Sequence, residues 1–299
     1  MDKRVFLLLL MVFLLTGCNL PADEASTPTP AFISPTPRPT KINTPAPSVT
    51  FTPIPTETQI PTETVIPTPT WETAGPGEVT APILMYHDID PDKTTGKFSY
   101  NIHPDTFAAQ MQMLADLGYH TITARQLVAA IREGAPLPPK PIVLTFDDGY
   151  LNVYDQAFPI MQAHGFVGVA YIVANRLEAD GFLNVPELDE MIAAGWEIGS
   201  HSYTHSDLTL DHSTAFSEIY TSRERISEAT GVAVDTFAYP FGSIDPYLGE
   251  RTRKWGYTGA MGLGRQIIHS TNSLYYLQRI EIFGQMSLEE FQAVLSGPN

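Results

Sequence analysis

From about residue 79 onward, two hydrophobic periods alternate along this chain. "PILMYH", "IVLTF", "VGVAYIVA", "WEIGSH" and "TFAYPFG" are short apolar runs rich in β-branched and aromatic residues, and each predicts a buried strand. Between them the period is helical. "PDTFAAQMQMLADLGY" carries Phe107, Met111, Leu114 and Leu117 on one stripe and stops at Gly118. "NVYDQAFPIMQAHGF", "VPELDEMIAAG", "STAFSEIYTSRERISEATG" and "DPYLGERTRKWG" predict further helices, and "YTGAMG" a weak strand. "SLEEFQAVL" predicts a last helix, opened by a capping box from Ser287 to Glu290. Repeated βα units imply a parallel sheet. No Gly-rich dinucleotide turn follows the first strand, so the prediction is a closed or nearly closed (β/α) barrel.

In such a barrel the chemistry gathers at the C-terminal ends of the strands. The polar residues predicted there are His87, the pair Asp147 and Asp148, His201 with His205 four residues on, and Tyr239 and Phe241 around Pro240. The adjacent carboxylates pose a problem. Neighbouring strand residues point apart, and two buried like charges repel. A turn into solvent would explain "DDG" alone. A divalent cation would explain it together with "HSYTH", because imidazoles at i and i+4 on a helical turn share a side. One carboxylate would bind the ion and the other would act as a base toward water.

The first 78 residues read differently. Lys3 and Arg4 precede an apolar stretch from Val5 to Leu15, the length of a signal-peptide core. It ends in Leu15-Thr16-Gly17-Cys18, and Cys18 is the chain's one cysteine. Small residues before a cysteine resemble the lipobox of bacterial lipoproteins, so Cys18 is the expected lipidation site. Residues 19–78 are rich in Pro, Thr and Ser and predict a disordered stalk. The expected organisation is thus 1–18 signal, 19–78 linker and 79–299 folded domain. Extracytoplasmic anchoring to a bacterial membrane follows. The net charge of -16 argues against nucleic acid as a partner.

"TFDDGY", "HSYTH" and "FAYPFG" resemble the first three motifs of the polysaccharide deacetylases, over roughly Ala81 to Leu295. The resemblance implies a distorted (β/α) barrel of about seven strands that hydrolyses acetyl groups on sugars. It implies Asp147 as catalytic base and Asp148, His201 and His205 as metal ligands. The metal would be Zn2+, with Co2+, Ni2+ or Mn2+ as alternatives. Tyr239 and the N–H of Phe241 would serve substrate and oxyanion. "PILMYHDID" resembles the opening strand of the circularly permuted poly-N-acetylglucosamine de-N-acetylases, which implies His87 as the acid.

Three features depart from the family pattern. The arginine that precedes the third motif is absent, and Arg279 in "LQRIEIF" is its candidate substitute. A fourth motif is not recognisable in "YTGAMGLG". No acid histidine lies near the C-terminus, where His269 in "IIHSTNS" reads as a loop residue. The expected function is de-N-acetylation of a surface or extracellular polysaccharide by a monomer. The alternatives are a catalytically weak glycan-binding lipoprotein, or an O-acetyl esterase on the same scaffold.

Overall fold

The structure, a computed structural model, describes residues 70–73, 75–92 and 99–298. The predicted signal, Cys18 and most of the stalk lie outside the described residues. Seven parallel strands close into a barrel among them: β1 (Ile83–Tyr86), β2 (Pro141–Phe146), β3 (Val169–Ile172), β4 (Glu197–Ser200), β5 (Thr236–Ala238), β6 (Gly259–Leu263) and β7 (Leu277–Glu281). Closure is made by β1, which pairs with β7 through Ile280 opposite Leu84 and with β2 through Ile83 opposite Val143.

The helices cover the outside. They are α1 (Pro104–Asp116), α2 (Ala124–Glu133), α3 (Phe158–Ala163), α4 (Val185–Ala193), α5 (Ser222–Thr230), α6 (Pro246–Lys254) and α7 (Leu288–Val294). The Ser287–Glu290 capping box of α7 forms as expected. α2 is not among the elements the pattern predicts, although Leu127, Val128 and Ile131 bury one face of it and a Thr123–Gln126 capping box opens it. The weak strand "YTGAMG" is a full barrel strand, β6. His269 is not a loop residue: it is 1% exposed, in a short strand (Ile268–Ser270) paired antiparallel with Glu78–Thr80. Glu78 of that strand, and Glu72–Thr73 paired with Pro136–Leu137, lie ahead of the expected boundary at Val79.

Strand alternation divides the core. Leu84, Tyr86, Leu144, Phe146, Ala170 and Ile172 face outward with the apolar stripes of the helices, such as Phe107, Met111 and Leu188. Ile83, Val143, Val169, Tyr171, Ala238, Met261 and Leu277 form the second cluster, in the barrel interior and around α2. Tyr171 fills so much of the interior that a Cβ on Gly199 would meet its ring at 2.3 Å, which is why β4 carries glycine there.

Candidate active site

The period of two that divides the core also aims the site. Continuing the inward positions past each strand end reaches His87 from β1, Asp147 from β2, His201 from β4 and, within β7, Arg279. These four line one cavity of about 200 Å³ at the C-terminal mouth, with Asp148, His205, Tyr239 and Phe241.

Alternation should send Asp148 outward. The backbone prevents this: Asp148 has φ +73° and Gly149 φ +76°. A left-handed residue directly after the strand turns the second carboxylate back toward the mouth, a conformation that costs a non-glycine residue about 1–2 kcal/mol. The two carboxylates then meet different cations. Arg279, 1% exposed, grips Asp147 with both arms, Nη1 to Oδ1 at 2.6 Å and Nη2 to Oδ2 at 2.7 Å. Arg176, in the loop after β3, donates from Nη1 to Asp148 Oδ1 at 3.0 Å. The candidate substitute for the missing arginine is therefore the residue that orients Asp147, and it is no solvated edge residue. Thr145 Oγ1 and the Gly262 carbonyl accept from Arg279, and the guanidinium lies 5.5 Å above the Tyr171 ring. Sequence reasoning gave Arg176 no role; it follows no motif, and only the fold brings it to Asp148.

Burial opposes the charge on Asp147. The Arg279 charge, the nearby His201 and the Arg279 hydrogen bonds together outweigh it, and hold the carboxyl well below the usual carboxylate range. It is ionised at any physiological pH.

"HSYTH" does not form the helical turn that its spacing suggested. Residues 201–205 are a loop with Ser202 at φ +68° and His205 at φ +66°, and this loop still brings the rings to 4.8 Å, edge to face. His201 Nδ1 lies 2.8 Å from the Ala238 carbonyl. That contact requires the proton on Nδ1 and leaves the Nε2 lone pair facing the cavity. Burial pushes His201 down to about 4, against the pull of Asp147. One donor atom each from Asp148, His201 and His205 lies within 4.8 Å of the others. Two imidazoles and a carboxylate at this spacing, lining the cavity, fit a divalent ion.

His87 stacks on Tyr100 at 4.3 Å between centroids, and its buried Nδ1 has no hydrogen-bond partner among the described residues. Burial lowers its pKa; Asp147 and Asp148 pull the other way. Phe241 is 61% exposed at φ +58°, and its ring stands edge-on to His205 at 4.8 Å. Its N–H takes no part in the two hydrogen bonds of the turn, Gly242 N–H to the Tyr239 carbonyl and Ser243 N–H to the Pro240 carbonyl. Tyr239 borders the cavity, but its ring packs on Phe237 and its hydroxyl donates to Thr252 in α6. Its side chain is thus anchored in the core at the cavity's edge.

A closed parallel barrel with a buried carboxylate, an arginine and a three-donor set that could hold a metal ion at its C-terminal mouth is an arrangement suited to hydrolysis. Residues 134–260 match the model of the polysaccharide deacetylase family. BA0330 from Bacillus anthracis is 30% identical, with TM-score 0.65, over 73% of this chain and 69% of that one. BC0361, a polysaccharide deacetylase from Bacillus cereus, is 29% identical, with TM-score 0.65 and the same coverage. The poly-beta-1,6-N-acetyl-D-glucosamine N-deacetylase of Escherichia coli (strain K12) is 23% identical over 70% of this chain, which spans only 37% of that protein. The chain belongs to the polysaccharide deacetylase family and is a deacetylase hydrolase.

Proposed function

We propose that this protein removes N-acetyl groups from a poly-N-acetylhexosamine, in a metal-dependent reaction outside the cytoplasm. The observation that carries the reading is an ionised, arginine-held Asp147 beside the Asp148, His201 and His205 donor set, with His87 lining the same cavity. A divalent ion there, zinc by ligand type, would polarise the acetyl carbonyl and lower the pKa of water. Asp147 accepts the proton of the attacking water. Arg279 occupies one lone pair on each of its oxygens, and each keeps another. The Phe241 N–H faces the charge that develops on the carbonyl oxygen. His87 gives a proton to the leaving nitrogen. An amide needs that proton far more than an ester does, so His87 favours N-acetyl over O-acetyl substrates. Arg279 also answers one of the two grounds for a non-catalytic glycan-binding reading, the missing arginine; the unrecognised fourth motif is the other.

The polymer class rests on the first-strand histidine and on the Escherichia coli relative. The substrate cavity shares Leu263 with a second hollow bordered by Arg265, Glu281 and Phe283, which leaves room for neighbouring sugar units. Lipidation of Cys18 would hold the monomer at a bacterial membrane surface.

Acetate release tests the reading. Poly-N-acetylglucosamine, chitin oligomers and O-acetylated glycans are offered to chelator-stripped protein, with and without zinc. Zinc-dependent release from an N-acetylated polymer is expected, and release from O-acetylated glycans alone would refute the reading. Cys18→Ala should shift the protein from the membrane fraction to the soluble fraction.

A further inference from the structure

The two histidines of the donor set are held in different ways. His201 is oriented through its ring, by the Ala238 carbonyl on Nδ1. His205 has no such hydrogen bond on its ring among the described residues; its ring contacts are His201, Phe241 and Asp148. Its position therefore depends on its backbone, which is left-handed, as is that of Ser202 three residues before. Left-handed non-glycine residues persist only where the surroundings over-determine them.

We infer that Glu218 is that determinant, a positioning residue that clamps the loop carrying His205 and thereby sets metal affinity. Glu218 is 4% exposed. Its Oε2 accepts the N–H of Tyr203 at 3.0 Å and of Thr204 at 2.8 Å, and its Oε1 accepts the Thr204 hydroxyl at 2.7 Å. Tyr203 and Thr204 are the residues between the two left-handed positions. The loop adds its own brace, the His205 N–H to Ser202 Oγ at 2.9 Å. A buried carboxylate spent on two consecutive amides and a hydroxyl stabilises one loop conformation.

The clamp stands on a fixed base. Glu218 lies in a π-helical stretch, Phe216–Thr221, that leads into α5. Such a stretch shifts side-chain direction by a residue and recurs at functional sites. Ser222, one turn on, donates to the Glu218 carbonyl at 2.7 Å and lies 2.8 Å from Ser200 Oγ, at the end of β4 directly before His201. The Tyr257 hydroxyl donates to the Ile219 carbonyl at 2.9 Å. One segment thus ties the strand end that leads into His201 to the loop that ends in His205. In the sequence, Glu218 was only one polar position of a predicted helix.

The inference rests on the donor set proposed above, and its test separates the two. Zinc affinity is measured by chelator competition on full-length wild type, Glu218→Gln and Thr204→Val, with the melting temperature of each metal-free protein as a check on folding. The carboxamide keeps one acceptor and loses the other. Thr204 is exposed, and its valine removes only the hydroxyl bonds. Glu218→Gln should weaken zinc by about 10–100-fold, the usual loss when a supporting partner of a metal ligand is removed. Thr204→Val should weaken it less, in the same direction, with the metal-free melting temperature near wild type. Wild type that takes up no zinc would remove the donor set and this inference with it. Wild type that binds zinc beside a folded Glu218→Gln of equal affinity would overturn the role of Glu218 alone. Should Glu218→Gln fail to fold, Thr204→Val decides: unchanged affinity overturns the clamp.

Discussion

The two ends of the barrel each bury a carboxylate, and they treat it in opposite ways. At the C-terminal mouth, Asp147 is 1% exposed and meets a guanidinium with both oxygens. At the N-terminal end, Glu197 is 4% exposed and meets neutral donors, the Arg125 N–H at 2.7 Å and the Thr236 hydroxyl at 2.6 Å. The Arg125 guanidinium turns away to Asp235, at 2.9 Å. Burial is the largest influence on both. At Asp147 the arginine overrules it and the carboxyl stays ionised; at Glu197 nothing overrules it and the pKa rises. Burial alone therefore does not mark a working carboxylate. The buried counter-charge and the open cavity beside it do, and here both lie at the mouth.

The strongest way to break this comparison is to neutralise the mouth. Asp147→Asn should lower deacetylation on the order of 10²–10⁴-fold, the usual cost of a lost general base, while the protein still binds zinc through Asp148, His201 and His205. Loss of zinc along with activity would mean that Asp147 is a ligand. His87→Ala should cut N-acetyl hydrolysis by up to the same order. An activated aryl acetate, whose leaving group departs as a stable anion, should lose much less. Equal losses on both substrates would remove His87 as the acid.

Arg279→Met sharpens the comparison, since it makes the mouth resemble the other end. With the guanidinium gone, burial dominates and the Asp147 pKa rises. The base is then protonated at pH values where wild type has it ionised. The acid limb of the pH–rate profile should move upward, with turnover recovering toward alkaline pH. A limb that stays in place would show that Asp147 does not depend on Arg279 for its charge.

Much of the mouth was legible in the sequence because strand alternation is so regular. The runs "IVLTF" and "WEIGSH" gave the inward direction, and with it the convergence of His87, Asp147 and His201. The rest depended on backbone that breaks the period. The i and i+4 spacing of His201 and His205 suggested a helical turn, yet the residues form a loop with two left-handed positions. Asp148 joins Asp147 for the same kind of reason. Arg279 could be named but not placed, since its role depends on β7 standing two strands from β2 in a closed sheet. Arg176 and Glu218 reach the site from a loop and a helix with no periodic signal. α2 escaped because its apolar stripe is short, and His269 because the polar run Ser270–Ser273 follows it.

The smallest expected effect lies at the opposite end and is opposite in sign. In Glu197→Gln, the amide oxygen still accepts from the Arg125 N–H, and the amide nitrogen can donate to Thr236 Oγ1, which already accepts from the Tyr171 hydroxyl at 3.1 Å. The Thr236 hydroxyl loses its acceptor, a cost of about 1 kcal/mol, the net worth of one hydrogen bond. The buried charge disappears with it, and catalysis should be unchanged. The pH dependence separates the two carboxylates. The folded pKa of Glu197 is raised, so its contribution to stability is full below the unfolded value, about 4.3, and is lost as pH rises through the folded value. Glu197→Gln should therefore compare worst with wild type in acid and best near neutrality. The folded pKa of Asp147 is depressed, so its contribution is full above the unfolded value, about 3.9, and is lost as pH falls through the folded one. Asp147→Asn should compare worst near neutrality and recover in acid. Urea unfolding of metal-free protein reads the two slopes, between about pH 4 and pH 7 for Glu197→Gln and between about pH 2 and pH 7 for Asp147→Asn. Slopes of the same sign would mean that the two ends hold their carboxylates alike, and the contrast between them would fail.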